Sequence, residues 1–422
     1  MHHFLYRDKE LYCEEVPVSR IAEEVGTPFY LYSHATLIQH FRAFDQAFEG
    51  MRHLICFSMK SNSNLAILRL FVREGAGMDI VSGGELYRAL KAGVEPGKIV
   101  YSGVGKRAED MEYALQSGIL LFNAESSQEI RLLNEVAGRM GKVAPIAIRV
   151  NPDVDPLTHP YISTGLRENK FGIDILHSFE EYTRAAGLDH IRVAGVSCHI
   201  GSQLTQVSPF VDALKRLKVL IDKLTAAGIR ISYLDLGGGL GITYDKEAPP
   251  HPKEYAAALK EELDMDHLTL ILEPGRVIMG NAGILVTRVL YTKSTERKRF
   301  VIVDAAMNDL VRPSLYGSYH GIQHVNIKGR EKVKVDIVGP ICESGDFLAK
   351  DREIEEAEPG DLLAVMSAGA YGFTMASNYN SRPRVPEVMV REGEFEIIRE
   401  RETYEDLVKG ERIPDFLEQP AA

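Results

Sequence analysis

The stretch Leu268-Thr269-Leu270-Ile271-Leu272-Glu273-Pro274-Gly275-Arg276 is a buried-strand run that stops on a carboxylate, a proline, a glycine and a cation. Proline cannot donate to a sheet ladder and glycine opens backbone conformations closed to other residues, so the run ends at Glu273 and the chain turns. Seven earlier runs share its length and character: Leu54–Phe57, Met78–Val81, Lys98–Tyr101, Ile119–Phe122, Ile146–Val150, Val193–His199 and Ile231–Leu236. Longer amphipathic segments lie between them. Short apolar strands alternating with amphipathic helices mark βα units around a parallel sheet. Eight such units in roughly 225 residues predict a (β/α)8 TIM-type barrel.

The intervening segments carry helix signals. Ser82 to Gly93 begins with a cap residue and stops at glycine. From Pro209 to Gly228, residues Phe210, Leu214, Leu217, Ile221 and Leu224 form one apolar stripe, the face expected to pack on the barrel. Beyond residue 280 the texture changes to strands: Ile284–Tyr291, Phe300–Asp304, Val333–Val338 and Asp361–Met366, then Glu387–Val390 and Glu394–Ile398 flanking Gly393 as a hairpin. This predicts an α/β chain with the barrel over 35–279 and a mostly antiparallel β-sandwich or β-barrel domain from 1–34 and 280–422, to which Phe29–Tyr32 adds a strand.

The 422 residues exceed what one core usually holds, and 45% hydrophobic with 26% charged residues is an ordinary globular balance. Forty-nine basic against 60 acidic side chains give a formal charge of −11, which disfavours nucleic acid or an anionic membrane as partner. The apolar runs are strand-sized and the first eight residues lack a secretory pattern, so a cytoplasmic protein is expected. Cys13, Cys56, Cys198 and Cys342 are far apart with no CxxC pair, which indicates neither metal site nor disulfide framework. Three sit in apolar context as core thiols, whereas Cys342 lies in a turn-rich stretch where a thiol is reachable.

Chemistry in such barrels gathers at the C-terminal strand ends. The first run is followed by Ser58-Met59-Lys60-Ser61-Asn62, the sixth by His199-Ile200-Gly201-Ser202-Gln203, the seventh by Gly237-Gly238-Gly239, the eighth by Glu273-Pro274-Gly275-Arg276. A lone lysine and a lone carboxylate at strand ends are what pyridoxal 5′-phosphate requires: an amine for the Schiff base and a partner for the ring nitrogen. Desolvation is expected to lower the pKa of Lys60 and free its amine. The glycines either let backbone N–H groups approach a phosphate or make a tight turn. Arg276 adds charge at this mouth. His199 is either a ring-stacking or basic group or a structural strand-end residue.

These motifs, with Ile341-Cys342-Glu343-Ser344-Gly345-Asp346, resemble the fold-type III pyridoxal phosphate decarboxylases over residues 25 to 410. Ser61 departs from the alanine common after the lysine in relatives. The resemblance implies Lys60 as the Schiff-base lysine, His199 against the ring, and Glu273 at its nitrogen. It places Ser202, Gly238, Gly239, Gly275 and Arg276 around the cofactor, with Tyr371 touching cofactor and substrate, and likens the β domain to the C-terminal domain of alanine racemase. Within Val311–Gly317, Arg312 and Tyr316, together with Arg276, would hold a distal substrate carboxylate, Glu343 a distal amine, and Cys342 would deliver a proton. Cys342 and Glu343 are expected from the second subunit of a homodimer.

The activity implied is decarboxylation of a small amino acid, meso-2,6-diaminopimelate, to L-lysine and carbon dioxide. A racemase of the same architecture needs no carboxylate at the ring nitrogen, which Glu273 argues against. Decarboxylases of ornithine, arginine or lysine share the cofactor motifs but need no cation for a second carboxylate. Arg312 separates the two. A cofactor-binding homologue without turnover would be expected to lack Lys60 or Cys342.

Overall fold

The computed structural model describes residues 2–155, 170–263 and 267–418; Met1 and 419–422, which the sequence assigns to the β domain, lie outside them. All eight runs form strands: β1 (His53–Ser58), β2 (Gly77–Ile80), β3 (Ile99–Tyr101), β4 (Leu121–Ala124), β5 (Ala144–Asn151), β6 (Ile191–Ser197), β7 (Tyr233–Asp235) and β8 (Thr269–Leu272). Each pairs in parallel with the next. β8 pairs in turn with β1, Leu270 opposite His53 and Leu272 opposite Ile55, so the sheet closes into a barrel. Cys56, Val100, Leu121, Ala147, Ala194 and Ile271, from six strands, pack together as a buried cluster.

The helix signals correspond to physical ends. The helix Gly83–Ala92 starts where the Ser82 side chain accepts the Glu85 N–H, and it stops at Gly93, whose φ of 87° is left-handed. In the helix Ser208–Ala226 all five residues of the predicted stripe are buried. Each such side chain contributes about 1.5–3 kcal/mol on leaving water.

The chain divides into two compact units. The barrel unit comprises Ser33–Gly283 together with His2, His3 and Ser367–Thr374; these last, Tyr371 among them, group with the barrel and not with the β domain to which the sequence assigns them. The β unit draws on Phe4–Tyr32, Ile284–Met366 and the chain from Met375 on. Its large sheet runs, in spatial order, Phe347–Glu355, Lys332–Val338, Arg299–Val303, Gly283–Ser294, Phe29–Ser33, Glu387–Arg391 and Glu394–Arg399. The Phe29–Ser33 strand therefore lies in mid-sheet and all five of its residues are buried. The hairpin around Gly393 forms, with Arg391 opposite Glu394. One element went unread in the sequence: Phe4–Arg7, Glu10–Cys13 and Val16–Pro17 make a separate three-stranded antiparallel sheet. Among the described residues no helix is long and apolar enough to cross a membrane.

Candidate active site

Lys60 stands in the short helical turn Met59–Ser61 that follows β1. Its Nζ donates to Oδ2 of Asp79, a fully buried carboxylate on β2, while 36% of the lysine side chain stays exposed. Burial pulls the ammonium toward neutrality, but the negative charge of Asp79 foremost, with Glu273 and Tyr371, more than offsets it and holds Lys60 above its usual range. The sequence expectation of a lowered pKa is thus corrected. Desolvation was legible in the strand position, whereas the counter-charge on the adjacent strand was not.

Behind the lysine lies a polar floor. Glu273 is 6% exposed, and its Oε1 is approached by Ser102 Oγ and Asn123 Nδ2, each at 3.3 Å. Burial, then the charges of Asp235 and Asp79, push the Glu273 carboxyl well above its ordinary value. Asp79 Oδ1 is buried here with no hydrogen-bond partner among the described residues.

At the rim, Nδ1 of His199 accepts the Gly238 N–H at 3.2 Å, which leaves the other ring nitrogen as N–H. Burial first, then the charges of Arg149 and Lys60, hold the imidazole well below its usual pKa, so the ring is neutral. The glycines meet the demands of a turn and of close packing: φ is +65° at Gly237 and +119° at Gly239, and a Cβ on Gly238 would lie 2.2 Å from the Glu273 carbonyl oxygen. A Cβ on Gly275 would crowd Ser58 and Ser61 at 3.0–3.1 Å.

Arg276 is 6% exposed and organises the rim. It donates to Ser202 Oγ at 3.0 Å and to the Tyr244 hydroxyl at 2.6 Å, and its guanidinium lies 4.8 Å from the centre of the Tyr371 ring. Tyr371 has a left-handed φ of 56°, and its N–H donates to the Ser61 carbonyl at 2.8 Å, one residue from Lys60. Nine predicted residues therefore belong to the barrel unit: Lys60, His199, Ser202, Gly238, Gly239, Glu273, Gly275, Arg276 and Tyr371.

The other four belong to the β unit. Arg312, 5% exposed, opens the short helix Arg312–Tyr316, donates to His320 Nε2 and Ser318 Oγ at 3.3 Å each, and lies 6.0 Å from the Tyr316 ring centre. Cys342 is the exposed one of four free cysteines, and Cys13, Cys56 and Cys198 are buried. The Cys342 N–H donates to Asn380 Oδ1 at 2.8 Å, and Glu343 is hydrogen-bonded to the Tyr379 hydroxyl. Asp346 anchors this loop by accepting the N–H groups of Ile341 and Met307, both at 2.7 Å.

Several of these partners were not singled out from sequence. Asp79 in Met78-Asp79-Ile80 and Asp235 in Leu234-Asp235-Leu236 are carboxylates inside apolar strand runs, and that mismatch is the signal that finds them. Asn123, Tyr244, Tyr379 and Asn380 carry no such mark. Among the described residues no group of three or more His, Cys, Asp or Glu is placed to hold a metal.

The donor set fits pyridoxal 5′-phosphate. It comprises a reachable amine on Lys60, a buried carboxyl on Glu273 held well above its ordinary pKa, a neutral imidazole on His199, and a guanidinium with a serine hydroxyl at Arg276 and Ser202. The model of the pyridoxal binding domain of pyridoxal-dependent decarboxylases matches residues 34–280. The diaminopimelate decarboxylase of Pseudomonas aeruginosa is 55% identical over 98% of this chain and 99% of its own length. The solved structure of the Helicobacter pylori diaminopimelate decarboxylase with L-lysine is 44% identical, covers 93% of this chain and 98% of that one, and superposes with a TM-score of 0.90. The solved structure of the diaminopimelate decarboxylase from m. jannaschii, also with L-lysine, is 38% identical, covers 99% of this chain and 100% of that one, and superposes with a TM-score of 0.93. Closed barrel, strand-end donors and near full-length likeness agree: the chain belongs to the diaminopimelate decarboxylases, carboxy-lyases of the pyridoxal-dependent decarboxylase family.

Proposed function

We propose that the chain removes one carboxylate of meso-2,6-diaminopimelate as carbon dioxide and leaves L-lysine. The observation that carries the site assignment is the convergence of Lys60, Asp79, Asn123, Asp235 and Glu273 on one end of a closed barrel. Bound there, pyridoxal 5′-phosphate supplies a sink for the electron pair that the departing carboxylate leaves behind.

The residues divide the work. Lys60 would be the attachment amine, Glu273 would stand at the ring nitrogen, and His199, being neutral, would stack on the ring without opposing its charge. Ser202, Gly238, Gly239, Gly275 and Arg276 would surround the phosphate, with Tyr371 beside them and the Gly238 N–H already donated to His199 Nδ1. Arg276, Arg312 and Tyr316 hold the distal carboxylate and Glu343 the distal amine. The Cys342 thiol gives up its proton to the carbon that lost its carboxylate. The exposure of Cys342 and Glu343, on a loop fixed by Asp346 and Asn380, supports a homodimer in which this loop of one copy completes the barrel site of the other. Four free cysteines support a reducing, cytoplasmic location.

Carbon dioxide release from meso-diaminopimelate, ornithine, arginine and lysine, measured side by side, tests the reading. Turnover of diaminopimelate above the others is expected. Preference for ornithine or arginine would favour a decarboxylase of another basic amino acid, which has no second carboxylate for Arg312 to hold.

A further inference from the structure

Next to Glu273 lies a second carboxylate to which the proposed mechanism gives no task. Asp235 ends β7 with no exposed surface. Its Oδ1 accepts the Gly237 N–H at 2.8 Å and its Oδ2 accepts Asn123 Nδ2 at 2.7 Å. The same Asn123 nitrogen also reaches Glu273 Oε1 at 3.3 Å, so the two buried carboxyls stand side by side on one amide. Ionised carboxylates only accept, so two placed side by side can bond to each other only when one of them carries a proton. Both oxygens of Asp235 already accept N–H donors, which favours its ionised form and assigns the proton to Glu273.

The bridge between them is built rather than incidental. The same Asn123 nitrogen reaches Asp235 at 2.7 Å, Ser102 Oγ at 3.0 Å and Glu273 at 3.3 Å. Its backbone carbonyl is fixed by Lys106, itself buried and paired with Glu129 at 2.7 Å. Among the described residues, titratable groups around this floor include Asp79 and Lys60, which pair with each other, and the buried thiols of Cys56 and Cys198 and hydroxyl of Tyr255, all of which burial keeps protonated.

We infer that Asp235 is a positioning residue for Glu273: the two carboxyls share one proton, and this keeps the pyridine nitrogen of the bound cofactor protonated. The inference rests on the proposal that Glu273 faces that nitrogen. When the nitrogen arrives, the Glu273 O–H bond breaks and an N–H bond forms, with no proton drawn from solvent. Two negative carboxyls then face one ring cation, and the field of Asp235 holds the proton on the nitrogen. Burial keeps both carboxyls out of water, and the Asp235 carboxyl is itself pushed up to about 6 by that burial.

The test uses the full chain loaded with pyridoxal 5′-phosphate labelled with 15N in the ring. The 15N chemical shift, which separates protonated from neutral pyridine, is followed from mildly acid to mildly alkaline pH in the parent, Asp235→Asn and Glu273→Gln. The parent nitrogen is expected to stay protonated across the range. In Asp235→Asn the midpoint for losing the proton should fall by about one pH unit or more, a tenfold loss of proton affinity. A residue that only capped the turn at Gly237 would leave this shift unmoved. Coincidence of Asp235→Asn with the parent, while Glu273→Gln moves the resonance, overturns the inference alone. If Glu273→Gln moves nothing, the assignment of Glu273 falls and the inference with it. A parent nitrogen that is neutral at neutral pH overturns it without any variant. Should Asp235→Asn not yield folded, loaded protein, Asp235→Ser, which keeps an acceptor for the Gly237 N–H but no charge, is read in the same way.

Discussion

Lys60 Nζ lies 2.5 Å from Asp79 Oδ2, and the same oxygen accepts the Ser58 hydroxyl at 2.6 Å. One buried carboxylate thus fixes both the amine and the strand end that carries it. Lys60→Ala should leave a folded protein, since Asp79 keeps Ser58. It should show no visible absorption from covalently held cofactor after pyridoxal 5′-phosphate is added, and activity should fall roughly 10³-fold or more. Persistence of the band in the purified variant would show that another amine attaches the cofactor.

Arg312 is nearly fully buried, so a carboxylate it holds is desolvated. A charge-assisted hydrogen bond of this kind is worth about 1.5–3 kcal/mol. Arg312→Ala should therefore raise KM for diaminopimelate about ten- to a hundredfold. Ornithine lacks the carboxylate, and its turnover should be poor in the parent and unimproved by the arginine. Equal use of both substrates by the parent enzyme would sink the clamp.

Asn380, at a left-handed φ of 55°, holds the Cys342 N–H. Removing one hydrogen bond of about 1 kcal/mol should let the loop drift, and Asn380→Ala should lower kcat about five- to tenfold with less change in KM. Because Cys342 is the exposed cysteine, its alkylation rate reports the loop directly. An unchanged alkylation rate together with unchanged kcat would show that Asn380 does not position the thiol.

If the site is shared, Lys60→Ala and Cys342→Ala chains complement each other. Random pairing makes about half the dimers mixed, each with one intact site, so activity should recover to about a quarter of the parent value. Chain exchange followed independently by a mass label makes the outcome decisive. Exchange without recovery would place the whole site within one chain.

Glu402 in the β unit accepts Arg384 N–H and Nε at 2.8 and 2.7 Å and Asn378 Nδ2 at 2.6 Å. Burial alone would raise its carboxyl, but these donors and the Arg384 charge hold it down at about 2. A carboxyl depressed in the folded state adds stability that is complete above its unfolded value of about 4.3 and is lost as pH falls toward 2. With Arg384 partly exposed, the discounted loss for Glu402→Gln at neutral pH is about 1 kcal/mol. Denaturant midpoints should differ at neutral pH and converge in acid. A gap that is constant with pH would assign the loss to something other than the ionised pair.

The barrel was legible because strands buried on both faces read as continuous apolar runs, and because glycine and proline punctuate their ends. The strand-end donors followed from that register. The small sheet of Phe4–Arg7, Glu10–Cys13 and Val16–Pro17 was not legible for a converse reason. Its strands are two to four residues long, and its turns use Asp8, Lys9 and Glu14 at positive φ instead of glycine. The partners of Asp79, Asn123 and Asp235 stayed hidden because they lie on neighbouring strands far away in sequence. The pKa of Lys60 was misjudged through the same gap: its burial is a local property, whereas its ion pair is made by the closed sheet.

The Phe29–Ser33 strand has its place between Gly283–Ser294 and Glu387–Arg391. A ribosome finishes the last barrel strand at Leu272 and must still add more than a hundred residues before both neighbours of this early strand exist. Through that interval Phe29-Tyr30-Leu31-Tyr32-Ser33 emerges with apolar side chains uncovered and both edges open to any passing strand. This early strand therefore has no complete sheet to join until Glu387–Arg391 has been made.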